Sequence, residues 1–319
     1  MIFSLNFILV FFLFFSTPIS VKPTFALVSE GSVTDFLLED NILYAANDKG
    51  TVDIFDYSTK KLKSQISFPL ITDFTGEMIP SKIYSVDKIS GKDILLMTTQ
   101  GVDGFRNVYV QKNGLLMKVV DDQRDHLMVH EARFLSENLI LLGLLSNEII
   151  YFDIQQNKVM LRKQISTASF SDFAINSSKT QFVWTDESGI IYLLNANSGE
   201  VLKKFENIHH DKIYCLSFHN NTIVSGGQDR KVAVIDKING SNYTFSSNFM
   251  VYKTAISNSG TLAAYSANEN SDIMVFNRIT KETVALLSGT TAVLTKILFV
   301  TDNEIIASAE DNEILVWKF

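Results

Sequence analysis

Seven short apolar runs, each ending in a polar residue, recur along this chain at a nearly fixed spacing. They are Val52-Asp53-Ile54-Phe55-Asp56, residues 108–112, Ile149-Ile150-Tyr151-Phe152-Asp153, Ile191-Tyr192-Leu193-Leu194-Asn195, Val232-Ala233-Val234-Ile235-Asp236, Ile273-Met274-Val275-Phe276-Asn277 and Ile314-Leu315-Val316-Trp317-Lys318. Their last residues fall at 56, 112, 153, 195, 236, 277 and 318, so the steps are 56, 41, 42, 41, 41 and 41. Runs this short suit strands rather than helices. A strand repeat of about forty residues is the sequence signature of a β-propeller, in which each repeat is one blade. The repeat overrides the two-domain prior set by 319 residues. It predicts an all-β fold: one seven-bladed propeller over residues 21–319.

Blade five shows the unit most clearly. Residues 213–218 alternate as a first strand, Asn220-Asn221 turn, and 222–225 form a second strand. Gly226-Gly227 let neighbouring backbones approach. After the turn Gln228-Asp229-Arg230, residues 231–236 make the third strand and 242–245 the outer one. The other blades read as 32–68, 81–120, 127–165, 170–205 and 251–287. Blade seven, from Ala292, retains only three strands before the chain stops at Phe319. The missing fourth strand has a candidate at the other chain end: residues 24–29, which belong to no hairpin. Pairing them with 313–319 would close the ring and remove two open edges.

The 56-residue step carries about fifteen extra residues. Most lie in 69–80, linking blade one to blade two, and a further share in 100–105, between the second and third strands of blade two. Both kinds of loop open on one face of a propeller. The charged linker Asp121-Asp122-Gln123-Arg124-Asp125-His126 adjoins them. Elaborated loops on a rigid scaffold are where binding concentrates. The expected protein-binding rim is therefore Phe74, Glu77, Met78, Asp103, Phe105, Arg106 and Arg124, with Phe74, Met78 and Phe105 as exposed apolar anchors.

Composition limits the chemistry. The net charge of -7 repels phosphate backbones, and no local basic patch offsets it. The single cysteine, Cys215, excludes an intramolecular disulfide and any Cys-rich metal site; within a strand it reads as a small buried hydrophobe. His209-His210-Asp211 reads as a solvated or capping loop, because adjacent strand-end histidines point apart. Asp121, Asp122 and Asp125 read as a solvated turn lacking the glycine and terminal glutamate of a calcium loop. His126 and His130, four apart, would share a helix face, but the period here is that of strands. Trp184 and Trp317 read as blade-packing residues. No nucleophile elbow, phosphate loop or dinucleotide fingerprint occurs. The expectation is no catalytic residue, no cofactor and no metal.

Residues 1–15 are almost wholly apolar and are broken by Ser16-Thr17-Pro18. The run is short for a membrane span and matches a signal-peptide core, although no Lys or Arg precedes Lys22. Small residues favour a cut after Ala26; distance from the core, and the need to keep 24–29, favour one near Ser20. The expectation is a periplasmic monomer, with an uncleaved anchor facing the periplasm as the alternative. Sequons at Asn176, Asn220 and Asn242 bear only on a eukaryotic secreted adaptor.

The segments 210–218, 226–236 and 308–318 resemble degenerate WD40 repeats. No Gly-His pair opens a repeat, and the Trp-Asp ending appears only as Trp317-Lys318. The resemblance implies a seven-bladed ring whose packing rests on apolar strands more than on His–Asp networks. Gly143-Leu144-Leu145-Ser146-Asn147-Glu148-Ile149-Ile150 and Gly226-Gly227-Gln228-Asp229-Arg230-Lys231-Val232-Ala233-Val234 further resemble the NapL family of accessory proteins of periplasmic nitrate reductase systems. That resemblance implies a non-enzymatic helper whose partner is a periplasmic reductase or its maturation factors. The competing expectation is a propeller hydrolase or lactonase holding a cation in its central channel.

Overall fold

Alternation and turn chemistry build each repeat into an antiparallel sheet. In the computed structural model, which describes residues 18–319, blade one consists of Val33–Glu39, Ile42–Asn47, Thr51–Asp56 and Lys61–Ser67. Asp40 and Asn41 make its first turn at φ 49 and 64, a left-handed conformation that these residue types tolerate. Leu43, Ala45 and Ala46 in the second strand are fully buried, because that strand is covered on both faces by adjoining blades. The outer strand buries only Ile66 and carries Lys61 and Lys63, charges that discourage pairing at an open edge. The apolar core of the expected leader, residues 1–15, lies outside the described residues.

Six such four-stranded sheets and one five-stranded sheet make seven blades. Apolar clusters fill the spaces between neighbours. Trp184 is fully buried against Phe170 and Phe173, at 4.4 and 5.5 Å between ring centroids. A Cβ on Gly143 would stand 3.1 Å from the Trp184 ring and 3.2 Å from Phe173. The glycine thus makes room for the indole of the next blade. Trp317 is likewise fully buried and donates its Nε1–H to the Ser288 carbonyl at 3.1 Å. Both tryptophans pack blades, as the sequence implied.

The ring closes as expected. Phe25–Val28 pairs antiparallel with Glu313–Lys318, placing Phe25 opposite Val316 and Val28 opposite Glu313. Leu27 is buried with Phe36, Ile306 and Val316. A second attachment was not anticipated. Ile19–Val21 lies parallel on Thr283–Leu287 as the fifth strand of blade six, and the Ser288 amide donates to the Val21 carbonyl at 2.9 Å. The N-terminal segment therefore straps blades six and seven together.

Six of the seven inner strands share an irregularity that shapes the channel. Their register against the second strand slips across Thr34, Tyr84, His130, Ser171, Tyr214 and Thr295. A bulge of this kind turns and twists its strand. Here it brings two successive side chains of one strand to the channel wall. Thr34 and Asp35, Tyr84 and Ser85, His130 and Glu131, Ser171 and Asp172, Tyr214 and Cys215, and Thr295 and Lys296 all line it.

Candidate functional site

The elaborated loops of blade two open on one face. Blade-linking segments and the turns between second and third strands are hydrogen-bonded to each other around the ring: Asp48 N–H to the Ser32 carbonyl, Gln228 N–H to Lys212, and Ser247 N–H to Arg230. The long linker forms a small hairpin, Ile71–Thr72 with Met78–Ile79. Asp73 holds its tip by accepting from the Thr75 and Glu77 amides at 2.8 and 2.9 Å. Phe74 at that tip is 97% exposed and Met78 60%; Glu77 is exposed beside them.

Asp103, Phe105, Arg106 and Arg124 form a second group. Asp103 is exposed at φ 53 in the 3-10 turn Val102–Gly104. Phe105, expected to be an exposed anchor, is half-buried because it packs edge-on against His126 at 5.0 Å. Arg106 lays its guanidinium over the Tyr84 ring at 4.2 Å and donates to the Phe105 carbonyl at 3.0 Å. Arg124 donates to Asp125 at 2.7 Å and to the Val119 carbonyl at 2.9 Å. No hydrogen bond or ion pair joins this group to the hairpin among the described residues.

The Asp121–His126 linker is not simply solvated. It contains a one-turn helix, Asp122–Asp125, capped by Asp121, whose carboxylate accepts from the Gln123 and Arg124 amides. Asp122 is buried and accepts the Val102 amide at 2.7 Å, locking the two loops together. A Cβ on Gly101 would collide with Asp122 at 2.5 Å.

Of the two readings of His209, solvated or capping, the structure excludes the solvated one: it is 4% exposed. Its Nδ1–H donates to Asp229 at 3.0 Å and its Nε2 accepts from the Ser225 hydroxyl at 2.8 Å. Burial outweighs the pull of Asp229 and holds the imidazole below its ordinary pKa, so the contact is a hydrogen bond donated by a neutral ring. Blades three and four use different residue types for a similar purpose. Trp184 Nε1–H donates to Asn147 at 2.6 Å, and Asn147 donates to Asp186 at 2.9 Å. In blade one Asn47 donates to Thr51 at 2.7 Å, and the Ser29 hydroxyl donates to Asp53 at 2.6 Å.

The channel, a cavity of about 500 Å³, gathers a connected set of charges around the buried Asp35. Asp35 bridges four blades. It accepts from Lys296 at 2.6 Å, from Arg133 at 3.2 Å and from the Val86 amide at 3.0 Å. Burial alone would raise its pKa; Lys296 and Arg133 outweigh burial and hold it below the ordinary value. Arg133 also pairs with Glu131 at 2.6 Å. Burial, helped by Asp172 and Asp35, still pushes Glu131 up to about 7. Asp87 and Asp172 accept amides of the following blade, from Phe134 and Leu216, each at 2.7 Å. A repeated aspartate-to-amide bond thus staples neighbouring inner strands. Cys215 is buried, with its thiol pushed up to about 12 by burial, so it is a packing group and not a thiolate nucleophile.

His130 stands exposed to the lumen, yet enclosure and the cations Lys253, Arg106, Lys212 and Arg133 hold its pKa down to about 4. Among the described residues no group of three or more His, Cys, Asp or Glu is arranged to hold a metal ion, and no helix is long and apolar enough to cross a membrane.

A family model described as "WD domain, G-beta repeat" matches residues 199–236. That frame covers the outer strand of blade four and the first three strands of blade five, and includes His209, Ser225 and Asp229. The chain is similar to a solved structure, the β-propeller domain of Cps50 (Swd1) from Myceliophteria thermophila. The identity is 17%, the match covers 93% of this chain and 99% of that one, and the TM-score is 0.73. No curated protein matches the chain. The fold is a seven-bladed β-propeller, and one of its repeats, residues 199–236, matches the WD-repeat model.

Proposed function

We propose that this propeller is a non-enzymatic accessory module that binds a partner protein through the loop face of blade two. The observation that carries the reading is Phe74, 97% exposed at the tip of a hairpin lying outside the repeat. Neither ring closure nor blade packing uses that side chain. An apolar anchor held by a rigid ring loses little conformational freedom on binding. The apolar leader supports export to the periplasm. The likeness of residues 143–150 and 226–234 to accessory proteins of periplasmic nitrate reductase systems supports a reductase, or its maturation factors, as the partner.

A channel hydrolase would need carboxylates free to hold a cation. Asp35 and Glu131 are instead committed to Lys296 and Arg133 at 2.6 Å each, which favours the binding module. Affinity capture from the exporting host, comparing the native protein with Phe74→Ala/Phe105→Ala, tests the reading. The paired substitution should abolish recovery of a stoichiometric partner. Equal recovery by both proteins defeats the rim assignment, and stoichiometric calcium or zinc in the purified protein supports the hydrolase.

A further inference from the structure

The charges of the channel divide into a paired side and an unpaired side. Across blades seven, one and three, Lys296, Asp35, Arg133 and Glu131 form an unbroken chain of contacts. Across blades four to six the chain is interrupted. Lys253 lines the same cavity with no ion pair or side-chain hydrogen bond among the described residues. Asp172 is near enough to be influenced by that ammonium, but its nearest contact is the Leu216 amide at 2.7 Å.

Two other groups at this end of the channel are also unsatisfied. Ser171 Oγ and Arg106 Nε are the two buried side-chain polar atoms without a hydrogen-bond partner among the described residues. Ser171 lines the cavity one position before Asp172, and Arg106 covers the Tyr84 ring at its edge. Natural structures leave few such atoms unpaired, and each calls for an explanation. All three groups can donate, two of them from cations. Four cations act on the intervening His130 ring, in a protein whose net charge is -7. Flat aromatic walls flank the opening: Tyr214 stacks on Tyr252 at 5.1 Å, and His130 meets Phe170 at 5.2 Å.

We infer that this mouth receives an acidic side chain of a partner protein, its carboxylate on Lys253 and the Ser171 hydroxyl, with Arg106 at the entrance. The inference rests on the protein-binding reading above and adds the chemistry of the contact. Charge complementarity selects the occupant: three unsatisfied donors require an acceptor, and a carboxylate offers about four lone-pair sites. Lys212 contributes less, because it is already paired with Glu187 at 2.9 Å.

The test uses fluorescence polarisation with the purified protein and three labelled peptides of one length. The first carries Glu and Asp around a central Phe, the second replaces each acid by its amide, and the third replaces each acid by Lys. The acidic peptide should bind, and its affinity should fall with added salt. Lys253→Met should weaken it about tenfold or more and lower the melting temperature slightly through the lost attraction to Asp172, whereas Lys253→Arg should recover most of both losses. Equal binding of the acidic and amide peptides overturns the inference. Indifference to Lys253→Met overturns it too, as does full competition by equimolar acetate or phosphate, which would indicate a free-anion site. Failure here is distinguishable from failure of the broader reading. If a partner is captured through Phe74 and Phe105 but Lys253→Met captures it equally, only the mouth is wrong.

Discussion

The strap that closes the ring and the hairpin that enlarges blade two both lie outside the repeat, yet their side chains are disposed in opposite ways. In the strap, Leu27 is 1% exposed and the backbone is paired in register with the last strand. In the hairpin, Phe74 is 97% exposed and the only ladder is two residues long. The strap removes edges and fills a core; the hairpin fills nothing in its own chain. Stability thus belongs to the strap and the proposed recognition to the hairpin, and each addition should be removable without the loss the other would cause.

Paired deletions give the sharpest contrast. Removing residues 24–29 opens blade seven and exposes the pocket of Leu27, and should lower the unfolding free energy by about 4 kcal/mol or more in urea melts. Shortening the hairpin at 73–77 should change it by no more than about 0.5 kcal/mol. Equal losses would break the comparison. Next in size is Trp184→Ala, which empties the space Gly143 makes for the indole and strands Asn147; about 3–5 kcal/mol should be lost.

Asp35→Asn weakens the hub of the channel and should cost about 2 kcal/mol, moderated because Lys296 retains access to water. Phe74→Ala/Phe105→Ala should cost no more than about 1 kcal/mol, mostly from Phe105 against His126, while eliminating partner recovery.

The smallest expected effect is a change in pH dependence, because His130 is exposed and solvent screens most of the interaction. The folded His130 titrates at about 4, below its ordinary 6.5. As pH falls below 6.5 the unfolded chain takes up a proton that the folded protein refuses, so stability should decline between 6.5 and about 4. His130→Asn should flatten that decline in melting temperature measured across the same window.

The sequence shows the blades plainly because each third strand ends on a polar residue after an apolar run, a local pattern repeated at fixed spacing. The closing strand at residues 24–29 was also legible, since one blade lacked a partner and one segment lacked a hairpin. Ile19–Val21 was not, because its parallel pairing with Thr283–Leu287 leaves no periodic mark in three residues. The burial of His209 was hidden for a related reason. Its partners Ser225 and Asp229 lie 16 and 20 residues away, on another strand and turn. Asp122 resembled a loop acid because its partner, the Val102 amide, is a backbone group with no residue signature.

The hub at Asp35 was the least accessible to a linear reading: Lys296 is 261 residues away in sequence. A signal was nonetheless present. Aligning the six bulged inner strands on their bulges places Asp35, Ser85, Glu131, Asp172, Cys215 and Lys296 in one ring, which one strand read singly cannot reveal. At the rim, sequence located the extra residues but not their grouping. The hairpin stands by itself, whereas Phe105, Arg106 and Arg124 are tied to the capped turn at 121–126.

Ring closure can be measured directly by cross-linking. The Ser29 amide donates to the Asn312 carbonyl at 2.8 Å, so the next pair along, Val28 and Glu313, is a non-hydrogen-bonded pair whose side chains lie close. Oxidising Val28→Cys/Glu313→Cys should give an intramolecular disulfide seen as a mobility shift reversed by reductant, with the buried Cys215 not participating. The out-of-register control Val28→Cys/Leu315→Cys should give little. Absence of the cross-link in the first protein, or equal cross-linking in both, would contradict a ring sealed in this register.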